Sequence, residues 1–193
     1  MKTLIVIFAF LLFSCDNHQR CKSYNVAAFT HYQINQGTVE SNRMDFLIEI
    51  FDKPDGNVIF YLPPDEMLES TGWSVSITDK SKGFFKIANI WSQASNKLRY
   101  WDENWMEEYE FVWIKKGVVG LNTENYDGQV VNLFEYPDRS SNVSGRFANP
   151  QTVVVLDVCE NWAYVEAKDE NNKPIYGWLP PEDQCANPLS TCS

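Results

Sequence analysis

The chain has 193 residues, enough for one large domain or two small ones and too few for separate cofactor and substrate lobes. Its 26 acidic residues against 16 basic ones give a net charge of −10, which excludes a nucleic-acid binder that relies on a basic face. Hydrophobic residues at 44% and aromatics at 15% exclude a disordered chain, and the two histidines, His18 and His31, leave most of the sequence without the usual general base.

Lys2 and the apolar run Leu4–Phe13 open the chain. That run is too short for a hydrocarbon core of ~30 Å, which takes about 20 helical residues, and it suits the apolar stretch of an export signal. Residues 16–40 are polar with little periodicity, so 15–41 reads as a tether with one short ordered piece around Val26–Phe29.

From Asp45 onward, strand signals dominate. Phe46–Ile50, Trp73–Ile77, Phe84–Ile87, Glu110–Ile114, Val130–Leu133, Val153–Leu156 and Trp162–Val165 are short β-branched and aromatic runs. Pro, Gly, Asn and Asp clusters separate them. No helical apolar stripe persists over three turns, so the expected class is mainly β, as small barrels or a sandwich.

The runs recur in order. Ile48–Asp55 matches Val131–Asp138 at an offset of 83, and both alternate apolar and polar residues before a Pro-Asp turn. Phe84–Ile87 matches Trp162–Val165 at 78, and Phe111–Ile114 matches Tyr176–Leu179 at 65. The falling offset places an insertion in the first copy, within Asn89–Glu110. The expected copies are 42–125 and 126–193.

Two resemblances add to this. Leu12-Phe13-Ser14-Cys15 resembles a bacterial lipobox, although Phe13 is bulkier than is usual at its position. It implies removal of residues 1–14, a lipid on Cys15 and attachment to a membrane of the bacterial cell envelope, on its periplasmic or surface side. The alternative is an ordinary secretory signal cut elsewhere. The second copy resembles a bacterial SH3-like domain. The residues are Leu133-Phe134-Glu135-Tyr136-Pro137, then Val153–Leu156, then Asn161-Trp162-Ala163-Tyr164-Val165, then the closing Tyr176-Gly177-Trp178-Leu179. The first copy departs from the pattern, with Gly83-Phe84-Phe85-Lys86-Ile87 for the tryptophan strand and no glycine before Trp113. The resemblance implies two small SH3-like β-barrels in tandem. Trp162 and Trp178 are then expected in a small core.

The four cysteines besides Cys15 are Cys21, Cys159, Cys185 and Cys192. In an oxidising compartment they suggest two disulfides, with three pairings open and one bridge pinning the tail. No Cys-x-x-Cys spacing supports a metal, and no cofactor is implied.

Two aromatic groups are candidates for binding. One lies in the insertion: Trp91, Tyr100, Trp101, Trp105 and Tyr109, among Asp102, Glu103, Glu107, Glu108 and Glu110. Rigid aromatics beside carboxylates suit a sugar, a peptide or a cationic partner. They equally suit a core cover with a solvated acidic side. The other is Tyr136, Asp138, Trp162 and Tyr176 in the second copy, as a ligand groove or as core and rim packing. No nucleophile and base stand together, so no catalytic residues are assigned. The expected function is a non-catalytic, monomeric, envelope-anchored module that binds cell-wall peptide or glycan, or an envelope protein. The alternative is an inhibitor or immunity-type lipoprotein that blocks a wall hydrolase or toxin, onto which its acidity would steer it. Radiolabelled palmitate is expected to enter the wild-type protein in its native host and not Cys15→Ala; an unlabelled wild type would overturn the lipid anchor.

Overall fold

The computed structural model describes residues 21, 23–30, 47–62, 73–91, 109 and 111–186. They form thirteen strands and one 3-10 turn at Pro181–Asp183. The strands are β1 (Val26–Thr30), β2 (Ile48–Phe51), β3 (Val58–Leu62), β4 (Ser74–Ser81), β5 (Phe84–Trp91), β6 (Val112–Lys115) and β7 (Val119–Thr123). They continue as β8 (Val131–Phe134), β9 (Val143–Phe147), β10 (Thr152–Cys159), β11 (Trp162–Lys168), β12 (Pro174–Leu179) and β13 (Gln184–Cys185). The protein is mainly β, and its strands pair antiparallel in a sheet that does not close on itself.

The strand order is β3-β2-β6-β5-β4-β1-β7-β10-β11-β12-β8-β9, with β13 on β7. The order β3-β2-β6-β5-β4 returns as β9-β8-β12-β11-β10 in the second half, and the registers return with it. Phe51 pairs with Trp113 where Phe134 pairs with Trp178. Lys86 pairs with Trp113 where Tyr164 pairs with Trp178. Even the irregularity is repeated, since the bulge between Ile77 and Asp79 stands where β10 has one between Val155 and Asp157. A bulge in the same place twice is a feature of the fold rather than a local fault.

The equivalence also reaches a segment expected to be tether. β1 lies inside 15–41, yet it is paired on both sides, with β4 and with β7. Its counterpart is β7, which pairs with β10 as β1 pairs with β4. Both strands end in a buried threonine with the same double clamp. The Thr30 N–H donates to the Trp73 carbonyl (2.8 Å) and Thr30 Oγ1 accepts from the Trp73 N–H (2.7 Å). Thr123 does the same with Gln151, at 3.1 Å each way. These bonds satisfy buried polar groups that would otherwise cost about 1–3 kcal/mol each.

β7 also serves the first half. It takes β1 at Val119–Gly120 on one edge, as β13 takes β7 at Gln184–Cys185. The last strand of one unit is therefore the first strand of the next, and a cut between 125 and 126 leaves β7 bonded to β10 across it. One contiguous apolar cluster runs through both halves, from Ile50, Ile77 and Phe85 to Leu121, Val155 and Leu179.

A disulfide joins Cys21 to Cys159, with Cα atoms 5.2 Å apart at a sequence separation of 138. Closing so long a loop stabilises by about 4–5 kcal/mol in the chain-entropy account. Beside it the Asn25 N–H donates to the Glu160 carbonyl and the Glu160 N–H to the Ser23 carbonyl, both at 2.9 Å. The expected tether is thus sewn to the β10–β11 turn from Cys21. Cys185, which lies in β13, is disulfide-bonded too; Cys15 and Cys192 lie outside the described residues.

Candidate functional site

β11 reads Trp-Ala-Tyr-Val-Glu-Ala-Lys. Successive side chains on a strand point to opposite faces. Ala163, Val165 and Ala167 are buried, while Trp162, Tyr164 and Glu166 are only half-buried. On β12, Gly177 and Leu179 go inward, and Tyr176 and Trp178 go outward. The inner face takes the small residues because the core there is narrow. A Cβ on Gly177 would stand 2.2 Å from Ser144 Oγ and 2.8 Å from Leu133 Cβ, so no side chain fits. Trp162 and Trp178, expected in the core, are instead on the outer face.

The outward residues form cross-strand rows. Tyr164 lies against Trp178, with ring centroids 5.4 Å apart and a 59° tilt. Phe134 meets Trp162 edge-on at 5.8 Å. Glu166 sits between Val154 on β10 and Tyr176 on β12. Tyr176 is 43% exposed and stands across the strand pair from Glu166. Desolvation first, then the negative charge of Glu166, raise its phenol above the ordinary value. The result is an aromatic strip, Trp162–Tyr164–Trp178–Tyr176, with a carboxylate at one end. Aromatic pairs in such geometry hold each other rigid, which suits recognition by stacking.

The structure brings together Trp162 and Tyr176 of the second candidate group, at the two ends of one strip. Tyr136 is 57% exposed on the β8–β9 turn, two residues past Phe134. Asp138 is a turn-maker: its carboxylate accepts from Ser140 Oγ (2.7 Å) and the Ser140 N–H (2.9 Å), which hold it below the ordinary carboxylate range. Tyr164, Glu166 and Phe134 are additions that the sequence reading did not single out. The signal for Tyr164 and Glu166 was the strict alternation of Ala or Val with a larger residue along 162–168. Of the insertion group, Tyr109 packs partly buried against the core cluster. Trp91 ends β5, and its side chain lies outside the described portion. Tyr100, Trp101 and Trp105, with the acidic residues around them, also lie outside the described residues.

Two further features are a charge cluster beside the strip and a groove in the first half. Asp157, the cross-strand neighbour of Tyr164, accepts from Lys80 Nζ and Lys116 Nζ, both at 2.8 Å. Lys80 also donates to the Val158 carbonyl at 2.8 Å, so this cluster clamps β4 and the β6–β7 turn onto β10. In the first half, a groove of about 660 Å³ is lined by Leu47, Ile48, Glu49, Tyr61, Lys115 and Val118. Lys115 and Glu49 form an ion pair across it at 2.6 Å. Among the described residues, no group of His, Cys, Asp or Glu has the arrangement to hold a metal.

No family model matches the chain, and no curated protein matches it. Among solved structures, NlpC1 from Trichomonas vaginalis is similar at 12% identity and a TM-score of 0.30, over 86% of this chain and 46% of that one. NlpC2 from Trichomonas vaginalis is similar at 13% identity and a TM-score of 0.29, over 84% and 48%. The chain spans about half the length of these two proteins.

Burial is the largest influence on Asp157 and would raise its carboxyl. The hydrogen bonds and charges of Lys116 and Lys80 together outweigh it and hold the group below the ordinary range. A carboxyl that binds its proton less tightly when folded stabilises the fold above its unfolded pKa of about 4, and that contribution disappears as pH falls through the folded value. Melting temperature is expected to fall more steeply below about pH 4 in the wild type than in Asp157→Asn, which lacks the titration. Parallel pH profiles would contradict the clamp.

Proposed function

We propose that the protein is a non-catalytic binding module of the bacterial cell envelope, anchored through a lipid on Cys15, that holds cell-wall peptide or glycan on the outer face of β11–β12. The observation that carries this is the aromatic strip Trp162–Tyr164–Trp178–Tyr176 with Glu166 beside it. Tyr176 is exposed and Trp162, Tyr164 and Trp178 are half-buried, and such part-exposed rings beside a carboxylate are the kind of surface that interaction sites use. The duplicated strand order and registers support the reading of two small SH3-like units, the second of which bears the strip. Disulfides and the apolar stretch before Cys15 support an exported protein.

The chain from Cys15 to the first disulfide at Cys21 is six residues, which reach at most about 20 Å when extended. On this reading the module sits close to the membrane surface rather than on a long leash.

Co-sedimentation of the protein, freed of residues 1–14, with purified peptidoglycan tests the proposal. The wild type is expected to sediment at low salt. Tyr176→Ala and Trp178→Ala are each expected to weaken binding by about tenfold, with Tyr176→Ala leaving the melting temperature within a few degrees. Trp101→Ala/Trp105→Ala should sediment as the wild type does. Failure of the wild type to sediment, or loss of binding only in the insertion variant, would overturn the proposed site.

A further inference from the structure

The two copies differ in what covers their equivalent outer faces. In the first copy the row Asp79–Lys86–Trp113–Phe51 stands where the second has Asp157–Tyr164–Trp178–Phe134. Phe84 meets Phe51 edge-on at 5.3 Å, as Trp162 meets Phe134. Phe111 precedes β6 at the position matching Tyr176. On this first face two ammonium groups already lie over rings. Lys86 Nζ is 3.2 Å from the centroid of Phe111, and Lys115 Nζ is 5.0 Å from that of Phe51. The first copy thus satisfies its aromatic face with its own cations.

The second copy has neither lysine. Tyr164 replaces Lys86 and Pro180 replaces Lys115. Glu166 stands where the first copy has Ala88. So the second face lacks both lysines that lie over the rings of the first, and its carboxylate has moved from the position of Glu49, where Asn132 now stands, to Glu166 beside Tyr176. Lys168 is the next residue outward along β11, opposite Pro174, and among the described residues no ion pair joins it to Glu166. Lys80 and Lys116 are held by Asp157 at the other border.

We infer that the β11–β12 face of the second copy receives an alkylammonium group of its ligand, stacked on Tyr176 and its neighbouring rings with Glu166 as counter-charge. The mode is that of Lys86 on Phe111, with the cation supplied from outside. This rests on the wall-binding reading and narrows it to the amine-bearing side chains of wall peptides rather than to the glycan. The protein's own net charge of −10 favours the approach of such a group.

The experiment compares native sacculi with sacculi whose amines have been acetylated by acetic anhydride. Binding of the wild type is expected to weaken by about tenfold on acetylation, the loss that follows from removing a desolvated cation from an aromatic face and a carboxylate. Glu166→Gln is expected to weaken binding to native sacculi by about fivefold and to bind both preparations alike, while Lys86→Met binds native sacculi as the wild type does. Circular dichroism melts of both variants show that the fold is intact. Equal sedimentation of the wild type with native and acetylated sacculi overturns the amine assignment and leaves wall binding standing. Sedimentation with neither overturns wall binding itself, and this inference with it.

Discussion

Everything in this sheet depends on β7 being hydrogen-bonded along both edges. One edge carries β10; the other is divided between β1 at Val119–Gly120 and β13 at Asn122–Thr123. A unit of about 60 residues is marginal by itself, because it buries too little of its surface. Sharing a strand removes two exposed edges and lets both halves draw on one apolar cluster. The Lys80–Asp157–Lys116 clamp and the Cys21–Cys159 bridge reinforce the same junction. The β11–β12 face is held in place by this arrangement, since β10, which flanks β11, is anchored on β7.

The distribution of aromatic residues follows from how narrow the cores are. Gly177 has no room for a methyl group against Ser144 and Leu133, and it faces Val165 on β11, with Ala163 and Ala167 two positions to either side. Large rings on β11 and β12 must therefore go outside. The first copy makes the opposite choice along β5. Phe85 and Ile87 fill its interior, and lysines cover the rings left outside. The two halves keep the same strand registers but differ on this face: Lys86 and Lys115 lie over rings in the first, and among the described residues no lysine is placed over Tyr164, Tyr176 or Trp178 in the second.

Much of the architecture was legible because repeats constrain register. The offsets hold residue by residue in the pairing over Ile48–Phe51 with Val131–Phe134 and over Phe85–Ile87 with Ala163–Val165. β1 was less legible. Val-Ala-Ala-Phe-Thr is short and modestly apolar, and its order comes from distant partners: β4, β7 and the clamp between Thr30 and Trp73. No local propensity reports such contacts. Trp178, expected in the core, lies on the outer face for a related reason, and of the two readings of Trp162, core or rim, the structure has the outward one. A large apolar residue is buried by default only where volume allows, and here the small residues between them were the better guide to the inside.

The proposed ligand position is the outward face of β11–β12. Hydroxyl-radical footprinting with soluble wall fragments reads this at the side chains themselves. The account predicts that oxidation of Trp162, Tyr164, Tyr176 and Trp178 falls on adding fragments, while that of Tyr61 and Phe111 in the first copy is unchanged. Protection confined to Tyr61 and the Leu47–Val118 groove, or to Trp101 and Trp105, would contradict it.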